Sequence, residues 1–600
     1  MKRERLKHFL WVLFPVLLAL FLYRGTFRIW FLKDDFAWLG LRLSVNSLGD
    51  LFAALFTPMA QGTVRFLSER LFFLSFESVF GLESLPMRIW MFLTLAVAMG
   101  LLVKVGERLS GRVWVGSLAA VFWSLNFGVS VAMCWLASYN QILVSALLLG
   151  SLYALMRGNA VAMWACLVAG FGALENMVVA PGVLLLYALL YDRSKVRTVL
   201  PTFAASALFL FLHFAVIPKP ERDPSYQMHF DASMLETLGI YWQWLLGAVK
   251  LSSFSPDYLW LPWPTLLGGT ALLVGALALG AWRRDALPFF GLALSLAMIA
   301  PMLPLRDHRT DYYLASASIG ICLTFASAVP LTPIALRWLL GLGLVAYLYP
   351  SYLVQARTFE WYLNTTGPVR TIVRGAMHAS SLHQDKLILL DGIDAGLYGN
   401  TIADDGLRLI AAGRLRLAPG NGPPASPWVL SPEATRAALE KNQARIYRLE
   451  GAKLRDITRQ WEQTKGPELA GGFAPAVIAG ESTFDSQFLS GFYAAAEGSR
   501  WMAKRGVVRL GGGPYSEQTQ LHIQAYVPAA LGPVEVEVLC GGTTAGTFRV
   551  NPGEWIAQVP LPASVRAEGA LEIELRASKS IRPPEDGREL SLLLLGMGLR

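Results

Sequence analysis

HFLWVLFPVLLALFLYRGTFRIWFLKDDFAW, residues 8–38, decides how the rest of the chain is read. From His8 to Tyr23 it is apolar and carries no acidic or basic side chain other than that histidine. That run approaches the roughly 17–25 residues that cross a bilayer as a helix. The preceding MKRERLK mimics the start of a secretory signal, but Arg24 and a bulky aromatic loop follow where small residues would mark cleavage. An uncleaved signal anchor is the expectation. Just beyond it stand two adjacent carboxylates, Asp34 and Asp35, among Trp30, Phe31, Phe36 and Trp38. Ionised groups near a bilayer are costly unless they serve a pathway or a site, and the aromatics suit the membrane–water interface.

The composition extends this reading to more than half of the chain. Of 600 residues, 54% are hydrophobic and 16% charged, and the mean hydropathy is +0.43, which excludes an ordinary soluble protein. Further apolar runs recur at 88–105, 113–129, 133–156, 160–174, 177–191, 198–216, 263–282, 286–304, 312–329 and 334–353, predicting about eleven spans. Lys104, Arg108 and Arg112, then Arg157, then Arg193, Lys195 and Arg197 mark every other link, as do Arg283 and Arg284. Basic loops face the cytoplasm, so the N-terminus is expected inside and Asp34 and Asp35 outside. Much of the net charge of +9 sits in these loops, and it sets topology rather than binding nucleic acid. The four cysteines lie far apart with no CxxC, so neither a disulfide framework nor a zinc site is indicated.

Two outer loops are predicted. Residues 25–87 hold interfacial helices at 41–55 and 64–80, with Arg65, Glu69, Arg70 and Glu77 interspersed among Leu and Phe. Residues 217–262 carry Lys219, Arg222 and Asp257 around an amphipathic piece. Apolar character stops near Leu353, which divides the chain into a membrane domain (1–356) and a soluble part. In the latter, 357–470 reads as an α/β region: a helix at 371–382, a buried strand in Lys386-LILLDGI393, a helix near 402–411 and a linker at 420–427. Residues 471–600 alternate short strands with Gly/Pro turns, which predicts a β-sandwich or jelly roll.

Several segments, taken in order, resemble C-type (GT-C) membrane glycosyltransferases, and among them the bacterial relatives of protein O-mannosyltransferases, including those that carry tetratricopeptide repeats. They are Asp34-Asp35 after the first span, Arg65 opening a loop helix that ends in Phe80-Gly-Leu-Glu-Ser84, Val121-Phe-Trp-Ser-Leu-Asn126 ahead of Trp135-Leu-Ala-Ser138, Ala173-Leu-Glu-Asn-Met-Val-Val-Ala-Pro181, and Arg309-Thr-Asp-Tyr-Tyr-Leu314. The family often has a carboxylate four residues before the tryptophan matching Trp135 and an arginine four after; here Val131 and Tyr139 stand there. The repeats are absent as well, so sugar and acceptor stay open. The resemblance implies a polytopic α-helical GT-C-like fold in a bacterial inner membrane, with the C-terminal domain on the periplasmic side. It also implies inverting transfer from a polyprenyl-phosphate-linked sugar to a glycan, lipid or protein, with membrane lipids as the other partners.

Such a donor leaves as a phosphate, which needs no general acid; one carboxylate must take the acceptor's proton and cations must hold the phosphate. Adjacent residues point about 100° apart on a helix, so Asp34 and Asp35 do not easily share one sugar, and the resemblance favours Asp34 as the base. The other is left to bind the acceptor, a metal ion or Arg65. No cofactor is called for, and a divalent cation is compatible. Arg306, His308 and Arg309 form a compact cationic cluster suited to phosphate, with Lys219 as a further candidate. Arg65, Tyr139, Asn140 and Glu175 are the candidates for the sugar and acceptor.

Two other functions remain open: a transporter or flippase of a lipid-linked saccharide, and an inactive scaffold that binds glycan. Other signals lead to plainer readings. Gly511-Gly-Gly-Pro514 lacks the Lys-Ser/Thr of a phosphate loop, Asn364-Thr-Thr366 is a sequon short enough to arise by chance, and His213 in an apolar span reads as a buried histidine. Phe492, Tyr493 and Trp501 fit a core better than a sugar-stacking platform.

Overall fold

The computed structural model describes every residue except 1, 60–61, 219–223, 248–261, 405, 412, 420, 422–427, 431, 452, 465–475, 497, 512–519, 563–570, 584–587 and 600. The chain divides into two compact units, Met1–Gly367 and Pro368–Arg600.

The first unit is a multi-pass helical membrane region. Among the described residues, seven helices are long and apolar enough to cross a bilayer: Glu4–Arg28, Ser84–Ser110, Leu136–Met156, Arg193–Val216, Thr265–Arg283, Asp311–Leu331 and Ile334–Leu382. An eighth is a bent pair, Val113–Leu125 with Gly128–Cys134, turned through 64°. The segments Ala160–Phe171, Glu175–Tyr191 and Leu287–Met302 are apolar and helical but shorter than a span. The expected eleven therefore become seven, or eight with the bent pair, because apolar character does not guarantee the length that a crossing needs.

The bend has a local cause. Asn126 leaves the helix in an extended conformation, and its side chain replaces the backbone partners that are lost. Its Oδ1 accepts from the Gly128 N–H at 2.9 Å and its Nδ2 donates to the Tyr347 hydroxyl at 2.9 Å. Ser351 Oγ accepts from the Phe127 N–H at 2.8 Å. A break inside an apolar layer is tolerated when the freed groups find protein partners. Elsewhere, small residues bring helices into backbone contact. A Cβ on Gly116 would lie 2.2 Å from the Val103 carbonyl oxygen, and one on Gly320 would lie 2.1 Å from that of Gly291.

The predicted interfacial helix at 41–55 is interrupted. A helix at Leu48–Phe56 begins at Ser47, whose side chain accepts from the Asp50 N–H at 3.1 Å. It leaves Leu48, Phe52 and Phe56 exposed, as a helix lying in an interface should. The predicted separate span at 334–353 and helix at 371–382 are one continuous helix, Arg337–Leu382. His213, expected buried, is half-buried against Phe209 and Phe214.

The second unit contains two sheets. In the first, β1 (Leu387–Asp391) lies between β2 (Leu415–Leu417) and β3 (Ala444–Glu450), parallel to both, and β4 (Lys453–Asp456) adds antiparallel to β3. Ile388 and Leu390 pack in one apolar cluster with Ile372, Ala376 and Ala379, while Leu389 packs in another with Ala438, Ile446 and Trp461. Burial on both faces explains the unbroken apolar run of this strand. The helix predicted near 402–411 is two shorter ones, Ala395–Thr401 and Arg408–Ala411. Most of the predicted linker and of the Gly511 turn lie outside the described residues.

The second sheet comprises β5 (Ala476–Ile478), β6 (Phe488–Ala496), β7 (Ser499–Leu510), β8 (Gln520–Val527), β9 (Val534–Cys540), β10 (Thr543–Val550), β11 (Gly553–Pro560), β12 (Leu571–Ala577) and β13 (Leu593–Leu599). Its main path runs β10-β9-β12-β7-β13-β8-β11, and its end strands touch. The expected sandwich is thus a single sheet curled into a near-barrel. The long strand β7 makes the difference: Arg500 and Trp501 pair with β13, whereas Arg505–Leu510 pairs with β12. Phe492 packs against the interior cluster, and the Tyr493 hydroxyl accepts from the Glu589 N–H at 3.1 Å.

Candidate functional site

Asp34 and Asp35 are neighbours in sequence with opposite surroundings. The helix Asp35–Gly40 starts between them. Asp35 is fully buried: its Oδ2 accepts from the Leu32 N–H at 3.1 Å and its Oδ1 from the Ala137 N–H at 2.7 Å. Burial pushes its carboxyl up from the ordinary 3.8 to about 7, while Arg88 and the two N–H donors pull the other way. Arg88 is itself held by the Met133 and Trp30 carbonyls. Asp35 therefore pins the turn after the first span to the Trp135-Leu-Ala-Ser138 segment. Asp34 makes no capping bond to the helix and is exposed. The protein around it still removes enough water to raise its carboxyl, against the pull of its own N–H, Lys33 and Arg65. A raised carboxylate that solvent can reach is more basic and available to a substrate.

Beside Asp34 lies a polar network built from three distant segments. The turn Phe66–Leu71 sits tightly on the 172–173 backbone. The Leu67 N–H donates to Gly172 O at 2.9 Å, Ser68 Oγ donates to Ala173 O at 2.6 Å, and a Cβ on Gly172 would meet the Phe66 ring at 2.2 Å. This seating places Arg65 between two acids. Its Nε reaches both Glu175 oxygens, at 3.0 and 2.8 Å, and its Nη1 reaches Glu69 Oε1 at 2.7 Å. Asn140 Nδ2 donates to the same Glu69 oxygen at 3.3 Å. Burial raises the Glu69 carboxyl, with Arg65 opposing. Glu69 Oε2 and Asn140 Oδ1 are buried without a partner among the described residues, so the network has acceptors left to fill.

The predicted residues are thus partly gathered. Asp34, Arg65, Asn140 and Glu175 belong to one neighbourhood. Tyr139 does not share its contacts: its hydroxyl takes the Trp90 indole N–H at 2.9 Å and meets Thr94 Oγ1 at 3.1 Å. The cationic cluster is split among different partners. Arg309 binds Glu236 at 3.0 Å and Thr237 at 3.3 Å, and Arg306 lies near Asp231 and Asp307. His308 stacks on Tyr226 with ring centroids 4.0 Å apart and meets the Tyr312 hydroxyl at 3.3 Å. Lys219 lies outside the described residues. No group of three or more His, Cys, Asp or Glu is placed to hold a metal ion among the described residues.

Sequence reasoning missed Glu69 and Arg88 as partners of the site. The four-residue spacing of Arg65 and Glu69 is a local signal for the first pair. Nothing local announces Arg88, an arginine in the first turns of an apolar helix.

No family model matches the chain, and no curated protein matches it. Among solved structures, it is similar to ArnT from Cupriavidus metallidurans bound to undecaprenyl phosphate, at 14% identity and a TM-score of 0.39, covering 79% of this chain and 96% of that one. It is also similar to the Archaeoglobus fulgidus oligosaccharyltransferase, at 10% identity and a TM-score of 0.37, covering 99% of this chain and 96% of that one. For the arabinosyltransferase EmbB from Mycobacterium smegmatis the values are 10% and 0.31, covering 98% of this chain and 64% of that one.

Proposed function

We propose that this chain is a membrane glycosyltransferase that moves a sugar, with inversion, from a polyprenyl-phosphate donor to a glycan, lipid or protein acceptor outside the cytoplasm. The observation that carries the reading is the division between the two carboxylates. Asp35 spends both oxygens on backbone N–H groups, which makes it a positioning residue. Asp34 is exposed and held more basic than usual beside Arg65, which suits a general base.

In this mechanism Asp34 takes the proton from the acceptor hydroxyl as its oxygen attacks the anomeric carbon, and the lipid phosphate departs. Glu69 and Asn140 offer buried acceptors to the hydroxyls of a bound sugar. Arg309 and Arg306 pair with exposed carboxylates, Glu236 being 66% and Asp307 52% exposed. Such pairs contribute little, so a phosphate can replace the carboxylate at either arginine. The ordered resemblance from Asp34 to Leu314 supports the same reaction class.

The test is transfer from a native lipid-linked donor by Asp34→Asn. Loss of a general base typically costs about 10²–10⁴-fold in rate, with expression and folding unchanged. Near-normal transfer by the folded variant would overturn the mechanism.

A further inference from the structure

A second site lies away from this network, where the first span ends against the helix Arg337–Leu382. A cavity of about 500 Å³ opens there, lined by Phe21, Arg24, Arg28, Tyr352, Gln355 and Phe359 among others. We propose that it binds the phosphate headgroup of an anionic membrane lipid, independently of the transferase reading.

Arg24 and Arg28 both line the cavity, and among the described residues no carboxylate lines it. Arg24 already donates to the Phe21 carbonyl and lies 4.1 Å from the Phe21 ring centroid. It thereby covers one of the open carbonyls at the helix end, whose partial negative charge would otherwise repel an anion. The Arg28 side chain has no hydrogen bond or ion pair among the described residues. Two exposed cationic side chains beside one cavity attract an anion, and guanidinium favours phosphate through its bidentate fork.

The surroundings of the cavity favour a lipid over a soluble anion. Gln355 is buried and anchored to the Ser124 carbonyl at 3.3 Å, which gives the cavity a fixed wall. A Cβ on Gly25 would meet nothing within 4 Å, so the floor has room. From the cavity, exposed apolar side chains continue along both helices: Phe21, Leu17 and Phe14 on one, Tyr349, Val345 and Leu342 on the other. Those surfaces suit acyl chains, with the phosphate at their end.

The probe is phosphatidylglycerol, titrated into the full chain in neutral detergent, with retained lipid counted by native mass spectrometry. Phosphatidylcholine and glycerol 3-phosphate serve as comparison ligands. Wild type should hold one phosphatidylglycerol in preference to both. Arg28→Gln should lower its apparent affinity about fivefold, the scale of one basic residue at an anionic surface, and Arg28→Lys should keep most of it. Adding Arg24→Gln should abolish the preference; should that double variant misfold, the Arg28 pair decides alone. Equal retention by wild type and Arg28→Gln, or equal retention of phosphatidylcholine, would overturn the site. Retention of glycerol 3-phosphate as strongly as the lipid would overturn its assignment to a lipid.

Discussion

Asp35 Oδ1 accepts the Ala137 N–H at 2.7 Å across 102 residues of sequence, and this one bond ties the loop after the first span to the turn that opens a later helix. It also separates the tasks of two adjacent acids, because a fully buried carboxylate held on both oxygens is closed to a substrate that the exposed Asp34 can meet.

Asp35→Asn keeps the shape but replaces one acceptor by an NH₂ donor. Whichever way the amide turns, it faces either the Leu32 or the Ala137 N–H with a donor. The expected cost is about 1–3 kcal/mol, read as a lowered melting temperature in detergent, whereas Asp34→Asn should melt as wild type does. Equal melting of the two variants would refute the division.

The same residue should make stability depend on pH. Its folded carboxyl titrates near 7 against an ordinary 3.8, so the folded chain holds the proton more tightly than the unfolded one. The stabilisation is complete below about pH 4 and is lost as pH rises to about 7, on the order of 4 kcal/mol. Melting curves of wild type minus those of Asp35→Asn should fall across that window. A difference that is flat or rises would contradict the protonation assigned here.

Arg65 stands between Glu69 and Glu175. Arg65→Met should cost about 3–5 kcal/mol, the scale for leaving a buried charge uncompensated. Adding Glu69→Gln and Glu175→Gln should restore most of the melting temperature, because both stranded charges are removed. A triple variant no more stable than the single one would show that packing, not charge, is what Arg65 supplies.

Gly320 and Gly291 allow two helices to meet at backbone distance. Gly320→Ala should cost about 1–3 kcal/mol through overpacking. Gly100, where a Cβ meets nothing within 4 Å, should accept Ala at no cost or gain up to about 1 kcal/mol. Monodispersity and melting of the two variants provide the comparison.

Arg309→Ala should leave folding intact, since its partner Glu236 is mostly exposed, while raising the donor concentration needed for transfer. An unchanged donor requirement would remove Arg309 from the phosphate.

What the sequence determined by itself is whatever depends on neighbours along the chain. Apolar runs of span length mark the membrane region because solvent transfer acts on each segment separately. Alternation marks strands such as Gln520–Val527 and Leu571–Ala577 because a pleat sends successive side chains to opposite faces. The tertiary structure decided what depends on distant partners. It shortened three apolar helices below a span, and it bent another at Asn126 because Tyr347 and Ser351 were there to receive the freed groups. It joined the predicted sandwich into one curled sheet through the two pairings of β7. Most of all, it gave Asp34 and Asp35, indistinguishable as consecutive letters, different chemistry: Ala137 and Arg88 lie far along the chain, and only folding brings them to one carboxylate and not to the other.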